Sequence, residues 1–478
     1  MDEFVQLDAV AQAELVKKGD ITPMELVDAA LARIDAINPA LNAVVTSMAE
    51  EARAAAAANK VDGALAGVPF LLKDLGAMFA GVRLTSGCKV LQEFVPPIDS
   101  TIVARYKQAG LITLGKTNTP EFGILPTTEP ELFGPCRNPW HPEYMVGGSS
   151  GGAAAAVAAG LVPVAHGSDG GGSIRIPASC CGVFGFKPTR ARTPRGPLYG
   201  DVMSGIAIAH CISRSVRDSA AVLDATAGPE PGDPYWAPPQ TRPYLEEVGT
   251  PPGKLRIAFS TQALSAAFIH PDCVAAVEET AALCADLGHE LVEAAPPIDG
   301  ERFAQAFSVV WAAGCAWSVK GVARLLEREP SPEMFEPVTW GLYEMGERQS
   351  SADYLLAIQT LQQISRQAAY FFQAFDVWLT PTVAEPPLPL GEFDPKPGNP
   401  MNGFERALKF VPFTPIANVT GQPAMSVPLV WNEMGLPVGS QFVGRFGDEA
   451  TLFRLAAQLE EAHPWANRWP PVSAGRRQ

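Results

Sequence analysis

The N-terminal segment carries apolar side chains at helical spacing. Leu26, Ala30 and Ile34 recur every three or four positions, so they share one face of a helix. Thr22 is followed by a proline and then by a glutamate three residues after it, which is the start signal of that helix. The alanine-rich residues 48–59 predict a second helix.

The pattern then changes to alternating strands and helices. Residues 68–72 are all apolar and end at Lys73 and Asp74, as a buried strand does. Residues 101–109 are predicted to form a helix and 111–114 a strand. This alternation is typical of an α/β fold in which helices cover both faces of a central sheet.

Two segments rich in proline, glycine and acidic residues, 228–253 and 381–400, are predicted to be loops. The other predicted elements are a strand over 254–259, a helix over 273–287, helices over 303–375, strands within 419–444 and a helix over 452–462. The resulting regions are N-terminal helices (1–65), a core (66–250), an inserted smaller lobe on the substrate side (251–400) and a C-terminal return to the core sheet (401–478).

Composition is that of an acidic globular protein. Of the 478 residues, 47% are hydrophobic and 18% charged, and the formal net charge is −15. That charge disfavours nucleic acid and anionic membranes as partners, because both select clustered Lys and Arg. The first residues lack a secretory signal, and the longest weakly polar stretch, 153–165, is too short to cross a bilayer. A cytoplasmic location is expected.

Histidine and cysteine usage predicts no metal site. The six histidines never occur at metal-ligand spacing, and no CxxC pair appears among the eight cysteines. The neighbours Cys180 and Cys181 are expected to be reduced core thiols.

Two segments rich in glycine and serine, 147–152 and 167–177, carry the candidate chemistry. The second places Ser173 directly after three glycines. Without Cβ atoms, such a turn can direct several backbone N–H groups at one point, as an oxyanion hole requires. A flexible loop is the alternative interpretation, since Gly and Ser are common loop residues.

Two shorter motifs are interpreted as accidental matches. Residues 147–151 satisfy G-x-S-x-G, but the nucleophile elbow of α/β-hydrolases needs a preceding strand, and 137–144 has a loop pattern. Ser86 and Lys89 satisfy S-x-x-K of β-lactamases, without the companion motifs S-D-N and K-T-G.

Taken together, the segments resemble the amidase signature family. The match is nearly continuous over 147–189, and further landmarks lie at 67–74, 114–118, 213–218 and 420–424. Within the family, the sequence is most similar to 6-aminohexanoate-cyclic-dimer hydrolases. The resemblance implies the amidase signature fold, a central mixed β-sheet covered by helices on both faces.

The resemblance also implies a Ser-cisSer-Lys triad. Ser173 matches the nucleophile, Ser149 matches the bridging serine that follows a cis peptide bond, and Lys73 matches the general base. The apolar run before Lys73 favours burial, and a buried lysine loses its proton more readily. No metal or organic cofactor is expected for this chemistry.

The oxyanion hole implied by the resemblance uses the backbone of Gly170, Gly171, Gly172 and Ser173. Gly170 departs from the family pattern, where Thr or a larger residue is more common. We expect it to loosen the approach to the hole.

Other polar residues near the serines are given structural roles. Asp169 and Arg175 are predicted to form an ion pair that holds the loop, because Arg is a poor proton-transfer group. Ser150 is expected to hydrogen-bond within its loop without taking part in chemistry.

Substrate contacts are predicted on an aromatic segment that contains Trp311 and Cys315. Their spacing is also that of core residues. In the cyclic-dimer hydrolases, a cysteine in a similar place faces the substrate. Tyr144 is a further candidate contact, and Trp140 and Phe446 are candidate pocket walls.

The sequence therefore predicts an amidase that cleaves a carboxamide through an acyl-enzyme on Ser173. Linear or cyclic 6-aminohexanoate amides, anilides, esters and carbamates all present a suitable carbonyl group. The A subunit of a tRNA-dependent glutamine amidotransferase and a catalytically inactive binding homologue are the alternatives. The expected partner is a small amide-type molecule, with no nucleic acid and no membrane, and a homodimer is left open.

Overall fold

The computed structural model describes residues 3–58, 62–265 and 267–476, whose strands form one eleven-stranded sheet. The strands are β1 Val44–Ser47, β2 Pro69–Lys73, β3 Ile112–Thr117, β4 Val164–Asp169, β5 Phe184–Lys187, β6 Ile208–Ser213, β7 Arg256–Phe259, β8 Glu290–Glu293, β9 Val377–Pro381, β10 Ala424–Trp431 and β11 Pro437–Gly444. The α-helices are α1 Ala9–Lys18, α2 Pro23–Leu41, α3 Ala49–Ala57, α4 Thr101–Gln108, α5 Gly151–Ala158, α6 Arg175–Cys181, α7 Val216–Thr226, α8 Pro271–Asp286, α9 Gly300–Leu325, α10 Pro337–Glu347, α11 Ser351–Phe371, α12 Asn402–Phe410, α13 Thr414–Thr420 and α14 Glu449–Ala462.

The sheet is mixed and has the order β1-β3-β2-β4-β6-β5-β10-β11-β9-β7-β8. β2 runs parallel to β3 and β4, and β7 runs parallel to β8 and β9. The other neighbouring strands are antiparallel. The predicted α/β class with a mixed central sheet is confirmed.

Helices cover both faces of the sheet, as the alternation along β2 shows. Leu71 packs in a cluster with the alanines of α5 and the apolar face of α2. Phe70 and Leu72 point to the opposite face, where they pack with residues of α1, α4 and α7. Successive side chains of a strand point to opposite faces, so the fully apolar run before Lys73 reflects burial on both sides.

All four regions divided by sequence contribute to this one sheet. The N-terminal region, predicted as helices, also supplies the edge strand β1. The region 251–400 supplies β7, β8 and β9, which complete the opposite end of the sheet. Its helices α9, α10 and α11 pack on one another. The C-terminal region inserts β10 and β11 between β5 and β9.

Most element bounds follow the hydrophobic pattern. The helix predicted over 48–59 is α3, and its last predicted residue, Asn59, lies outside the described residues. The strand pattern predicted from residue 419 begins later, because Thr420 still belongs to α13. Gly421 ends that helix in the left-handed conformation, with φ +77°, before β10 starts.

Among the described helices, α9 is the one that is long and apolar enough to cross a membrane. Half of its apolar stretch is buried inside the protein, and it packs against α10 and α11. Such packing is typical of a core helix in a folded domain.

All eight cysteines are buried free thiols. Burial raises the pKa of Cys180 and of its neighbour Cys181, which keeps both thiols protonated near neutral pH. The two side chains are therefore packed core groups rather than reactive ones.

Candidate active site

Lys73 lies at the carboxyl end of β2, fully buried between β3 and β4. Its Nζ donates a hydrogen bond to Ser149 Oγ at 2.6 Å and another to Ser168 Oγ at 3.1 Å. Ser168 lies near the end of β4, which pairs with β2 in parallel. Because both strands end at the same edge of the sheet, their last side chains meet there.

Burial lowers the pKa of Lys73 from 10.5 to about 7. The Asp169 carboxylate opposes this lowering, and the Arg195 guanidinium adds to it. Asp74, the next residue along the chain, faces Thr85 instead and accepts a hydrogen bond from its hydroxyl at 2.5 Å.

The loop before α5 presents Ser149 to Lys73. The peptide bond between Gly148 and Ser149 is cis. A Cβ atom at Gly148 would lie 2.3 Å from the carbonyl oxygen of Thr127, so only glycine fits there. Ser149 is 2% exposed, so its hydroxyl is buried beside Lys73.

Ser150 has the structural role that its sequence position suggested. Its hydroxyl accepts a hydrogen bond from the backbone N–H of Ser168 and donates one to the Ser168 carbonyl, both at 3.2 Å. Its own backbone N–H donates to the carbonyl oxygen of Ser173 at 3.1 Å. Ser150 therefore ties the two glycine-rich segments together.

Ser173 stands at the end of the glycine run, just before α6, and is 7% exposed. Its hydroxyl makes no hydrogen bond to any described residue, so it is free to meet a ligand. The backbone N–H groups of Gly170, Gly171 and Ser173 are likewise without an acceptor among the residues described. They are therefore available to bind an oxyanion.

Gly172 is different from the other predicted oxyanion donors. Its backbone N–H donates to Asp169 Oδ1 at 2.7 Å and is thus already engaged. Gly172 also has a φ of +128°, and a Cβ there would lie 2.3 Å from Thr414 Oγ1. The prediction that Gly172 is an oxyanion donor is corrected on this point, because the residue shapes the turn instead.

The predicted ion pair between Asp169 and Arg175 is confirmed. Both side chains are fully buried and lie 2.9 Å apart. Although burial alone would raise it, the Arg175 guanidinium lowers the pKa of Asp169 to about 2. Arg175 also donates to Gln441 and Asn418, which connects the loop to β11 and α13.

An apolar cavity opens beside Ser173. Within the described part of the chain, no charged side chain lines it. One wall is the segment 123–126, which begins beside Ser149, since a Cβ at Gly123 would lie 2.9 Å from Ser149 Oγ. The facing walls come from α9 and from residues 404–416. Neutral apolar groups are therefore what this space can hold.

Three aromatic rings on α9 form a ladder along the cavity. Phe303 stacks on Phe307 at 5.8 Å, and Phe307 stacks on Trp311 at 5.3 Å between ring centroids. The spacing of four residues puts the three rings on one face of the helix. The two phenylalanines were not identified from sequence, although this spacing is a visible signal.

Of the three predicted substrate contacts, Trp311 is the one that lies on the cavity wall. Cys315, one helical turn further on, is 2% exposed and donates to the carbonyl oxygen of Thr339. Tyr144 pairs with Pro389 in an isolated β-bridge, away from the cavity. Of the candidate pocket walls, Trp140 packs on Trp431, and the half-exposed Phe446 lies outside the cavity as well.

Gly170 does not leave the approach to the loop open. A Cβ atom there would lie 3.7 Å from the Trp311 ring and 3.8 Å from Ala207 Cβ. The expectation that Gly170 loosens the approach to the oxyanion hole is therefore wrong. The Trp311 ring lies opposite Gly170 and closes that side of the loop.

The described residues contain no cluster of side chains that could bind a metal ion. Within 3–58, 62–265 and 267–476, no group of three or more His, Cys, Asp or Glu side chains could hold an ion.

Comparison with known proteins gives the same family as the motifs. A family model described as Amidase matches residues 25–453. A 6-aminohexanoate-cyclic-dimer hydrolase of Paenarthrobacter ureafaciens is 40% identical over 97% of this chain and 96% of its own.

Solved structures with the same fold belong to the same family. The structure of a 6-aminohexanoate cyclic dimer hydrolase complexed with substrate has a TM-score of 0.93 and 37% identity, covering 98% of this chain and 99% of the other. A bacterial aryl acylamidase of the amidase signature family has a TM-score of 0.90 and 27% identity, covering 99% of each chain. The chain therefore belongs to the amidase signature family and is a hydrolase that acts on amide C–N bonds.

Proposed function

We propose that this protein hydrolyses a neutral, largely apolar carboxamide through an acyl-enzyme on Ser173. The observation that carries the proposal is the 2.6 Å hydrogen bond between the buried Lys73 Nζ and Ser149 Oγ. It links a lysine that can be neutral near pH 7 to a serine on the same loop assembly as Ser173. Such a pair can remove a proton from a nucleophilic hydroxyl.

In the first half of the reaction, Ser173 Oγ attacks the amide carbon. The hydroxyl proton passes to Ser149 Oγ, whose own proton passes to Lys73 Nζ. The tetrahedral oxyanion is held by the N–H groups of Gly170, Gly171 and Ser173. As the C–N bond breaks, the proton returns from Lys73 through Ser149 to the leaving amine.

In the second half, water attacks the ester carbon of the acyl-Ser173. Its proton takes the same route through Ser149 to Lys73. The bond between Ser173 Oγ and the acyl carbon then breaks, and the returned proton restores the hydroxyl. The products are a carboxylic acid and an amine, so that one water is consumed for each amide bond.

The cavity supports a neutral substrate. Charged groups are expensive to bury without a partner, and no charged side chain lines the described cavity. The 6-aminohexanoate cyclic dimer, the substrate class named for the 40% identical relative, carries its polarity in amides and no free charge. Cyclic and N-blocked 6-aminohexanoate amides, anilides and the related esters and carbamates are the proposed range.

Glutamine hydrolysis for a tRNA-dependent amidotransferase is the weaker alternative. Free glutamine carries an ammonium and a carboxylate, and the described walls offer neither charge a counter-ion. A binding-only homologue would have no need of a buried lysine held against a serine.

A substrate panel tests the proposal. Purified protein is incubated with the cyclic 6-aminohexanoate dimer, a 4-nitroanilide, a phenyl carbamate and glutamine, and the released amine is measured. Ser173→Ala is the matched control. We expect the wild type to release amine from at least one neutral substrate and the Ser173→Ala variant to release none. Turnover of glutamine alone would overturn the proposed substrate class, and no turnover on any member would overturn the proposed reaction.

A further inference from the structure

We propose that a second cavity, beyond the end of α5, binds a small oxyanion that carries a proton, such as hydrogen phosphate. Arg214 supplies the positive charge of this site and Gln12 supplies a hydrogen-bond acceptor. The catalytic serine Ser149 lies just before the first residue of α5, whereas the cavity is lined by the turn that follows its last residue. The length of that helix, about 12 Å, therefore separates the two sites.

The cavity lies where four segments of the chain meet. Its walls come from residues 5–12, the turn 160–163 after α5, the start of α7 and the segment that contains Ala466 and Trp469. Its volume is about 220 Å³. One ordered water needs only about 10–15 Å³ of such space, so there is room for an ion of five heavy atoms.

Arg214 has no anionic partner among the described residues. Its Nη atoms donate to the backbone carbonyls of Ala158, Ala466 and Arg468, and its guanidinium lies 3.6 Å from the centroid of the Trp469 ring. Burial lowers the pKa of Arg214 to about 9, and no carboxylate opposes this lowering. Burying a cation without a counter-ion is unfavourable, and an anion bound in the cavity would offset that penalty.

Arg445 provides a comparison within the same protein. It also donates to two backbone carbonyls, but it pairs with Asp376 at 2.9 Å. On the wall of the cavity itself, Arg217 is paired with Asp8, so these two charges compensate each other. The charge of Arg214 is left without such compensation.

Gln12 presents a buried acceptor to the same cavity. Its side chain is 1% exposed, and its Nε2 donates to the carbonyls of Phe4 and Leu7, which fixes the orientation of the amide. Its Oε1 has no hydrogen-bond partner in the described chain. Leaving a buried acceptor unbonded is unfavourable, so the site calls for a donor as well as a negative charge.

Hydrogen phosphate meets both requirements. Its unprotonated oxygens can accept from the guanidinium of Arg214, and its P–O–H group can donate to Gln12 Oε1. Sulfate has the same shape but carries no proton near neutral pH. It can therefore satisfy Arg214 and not Gln12, which makes the comparison of the two ions a direct test of the assignment.

Calorimetric titration with inorganic phosphate tests the site, at neutral pH and at an ionic strength held constant with sodium chloride. The wild type should bind phosphate saturably, and sulfate should bind about ten-fold more weakly, because it leaves the buried acceptor unbonded. Arg214→Gln should weaken phosphate binding by about ten-fold or more, the usual effect of losing a charge-assisted hydrogen bond. Arg445→Gln is the matched control and should leave phosphate binding unchanged.

A second variant supplies the counter-ion from the chain itself. Ser215, on the cavity wall, caps α7 by accepting from the backbone N–H of Asp218 at 3.3 Å. Ser215→Asp keeps a residue that can cap the helix and adds a carboxylate, so it should also weaken phosphate binding by about ten-fold or more. If Arg214→Gln does not fold, this variant decides.

Three results would overturn the proposal. Without saturable binding of phosphate to the wild type, the cavity is a site for water only. Equal binding by the wild type and by both cavity variants would place the ion elsewhere, and sulfate binding as tight as that of phosphate would contradict the role of Gln12. None of these results depends on amide hydrolysis, so the proposed reaction can fail while this site stands.

Discussion

The Asp169 carboxylate accepts a hydrogen bond from the backbone N–H of Gly172 at 2.7 Å. Its second oxygen accepts one from the N–H of Ile174 at 3.2 Å. The two bonds bracket Ser173 and fix the turn around it, which leaves the N–H of Ser173 itself unbonded within the described chain. Asp169 therefore preorganises the loop without facing the cavity.

Removing this carboxylate should destabilise the protein. Asp169→Asn leaves the buried Arg175 guanidinium without its ion partner, which typically lowers the free energy of unfolding by about 3–5 kcal/mol. The measurement is denaturant unfolding of the variant and the wild type.

The matched control for that variant is an exposed ion pair. Arg256 and Glu290 lie 2.9 Å apart with nearly half of each side chain exposed. Glu290→Gln should lower the free energy of unfolding by less than about 1 kcal/mol. Equal effects of the two substitutions would show that Asp169 does not anchor the loop.

Alanine should separate the roles of the loop glycines. At Gly172 it combines a strained φ of +128° with a 2.3 Å clash against Thr414, so Gly172→Ala should lower stability by at least about 1–3 kcal/mol and abolish activity. Gly170→Ala should fold with an unchanged melting temperature, because its Cβ atom meets only ordinary contacts. Thermal unfolding of both variants distinguishes them, and equal losses would contradict the assignment.

The sheet could be predicted because its signals are local. The apolar run before Lys73 is continuous since both faces of β2 are covered, and the glycine segments are recognisable as motifs. The conformation around Gly172 is not local. It depends on Thr414, more than two hundred residues away in the chain, whose hydroxyl donates to the Gly171 carbonyl. No pattern near the loop signals that contact.

The cavity wall was only partly predictable for a related reason. Trp311 and Cys315 lie one turn apart on α9, and helical spacing makes them neighbours. Which of them faces the cavity depends on the rotation of α9 against α10. Cys315 is turned towards α10, where its thiol donates a hydrogen bond to the carbonyl oxygen of Thr339. Tertiary packing of two helices decides this, and the sequence of one helix does not contain it.

Ser173 should be the one serine that a fluorophosphonate probe modifies. A fluorophosphonate reacts with a hydroxyl that is both accessible and activated, and Ser173 lies on the cavity wall, next to the loop that carries Ser149 and its partner Lys73. Ser173→Ala should retain the fold and lose activity by a factor on the order of 10³ or more. Peptide mapping that placed the probe on Ser149 or Ser150 would contradict the assignment.

The pH dependence of kcat/KM should report Lys73. The lysine accepts a proton only when neutral, and burial lowers its pKa to about 7. Activity should therefore fall as the pH drops below about 7 and level off above it. Lys73→Ala should remove this limb together with most of the activity. A flat profile across neutral pH, with Lys73→Ala near the wild-type rate, would show that the base lies elsewhere.

Arg195 gives that profile a second and sharper test. Its guanidinium contributes to lowering the pKa of Lys73, after the larger effect of burial. Removing the positive charge in Arg195→Gln should raise that pKa, because the protonated lysine is then repelled less. The limb should move to higher pH while the plateau rate at alkaline pH stays close to that of the wild type.

Arg83→Gln is the control, since Arg83 is not among the charges that shift the pKa of Lys73. The acidic limb of this variant should not move. A purely structural role for Arg195 would lower the plateau and leave the midpoint in place, which measured profiles of the two variants would reveal.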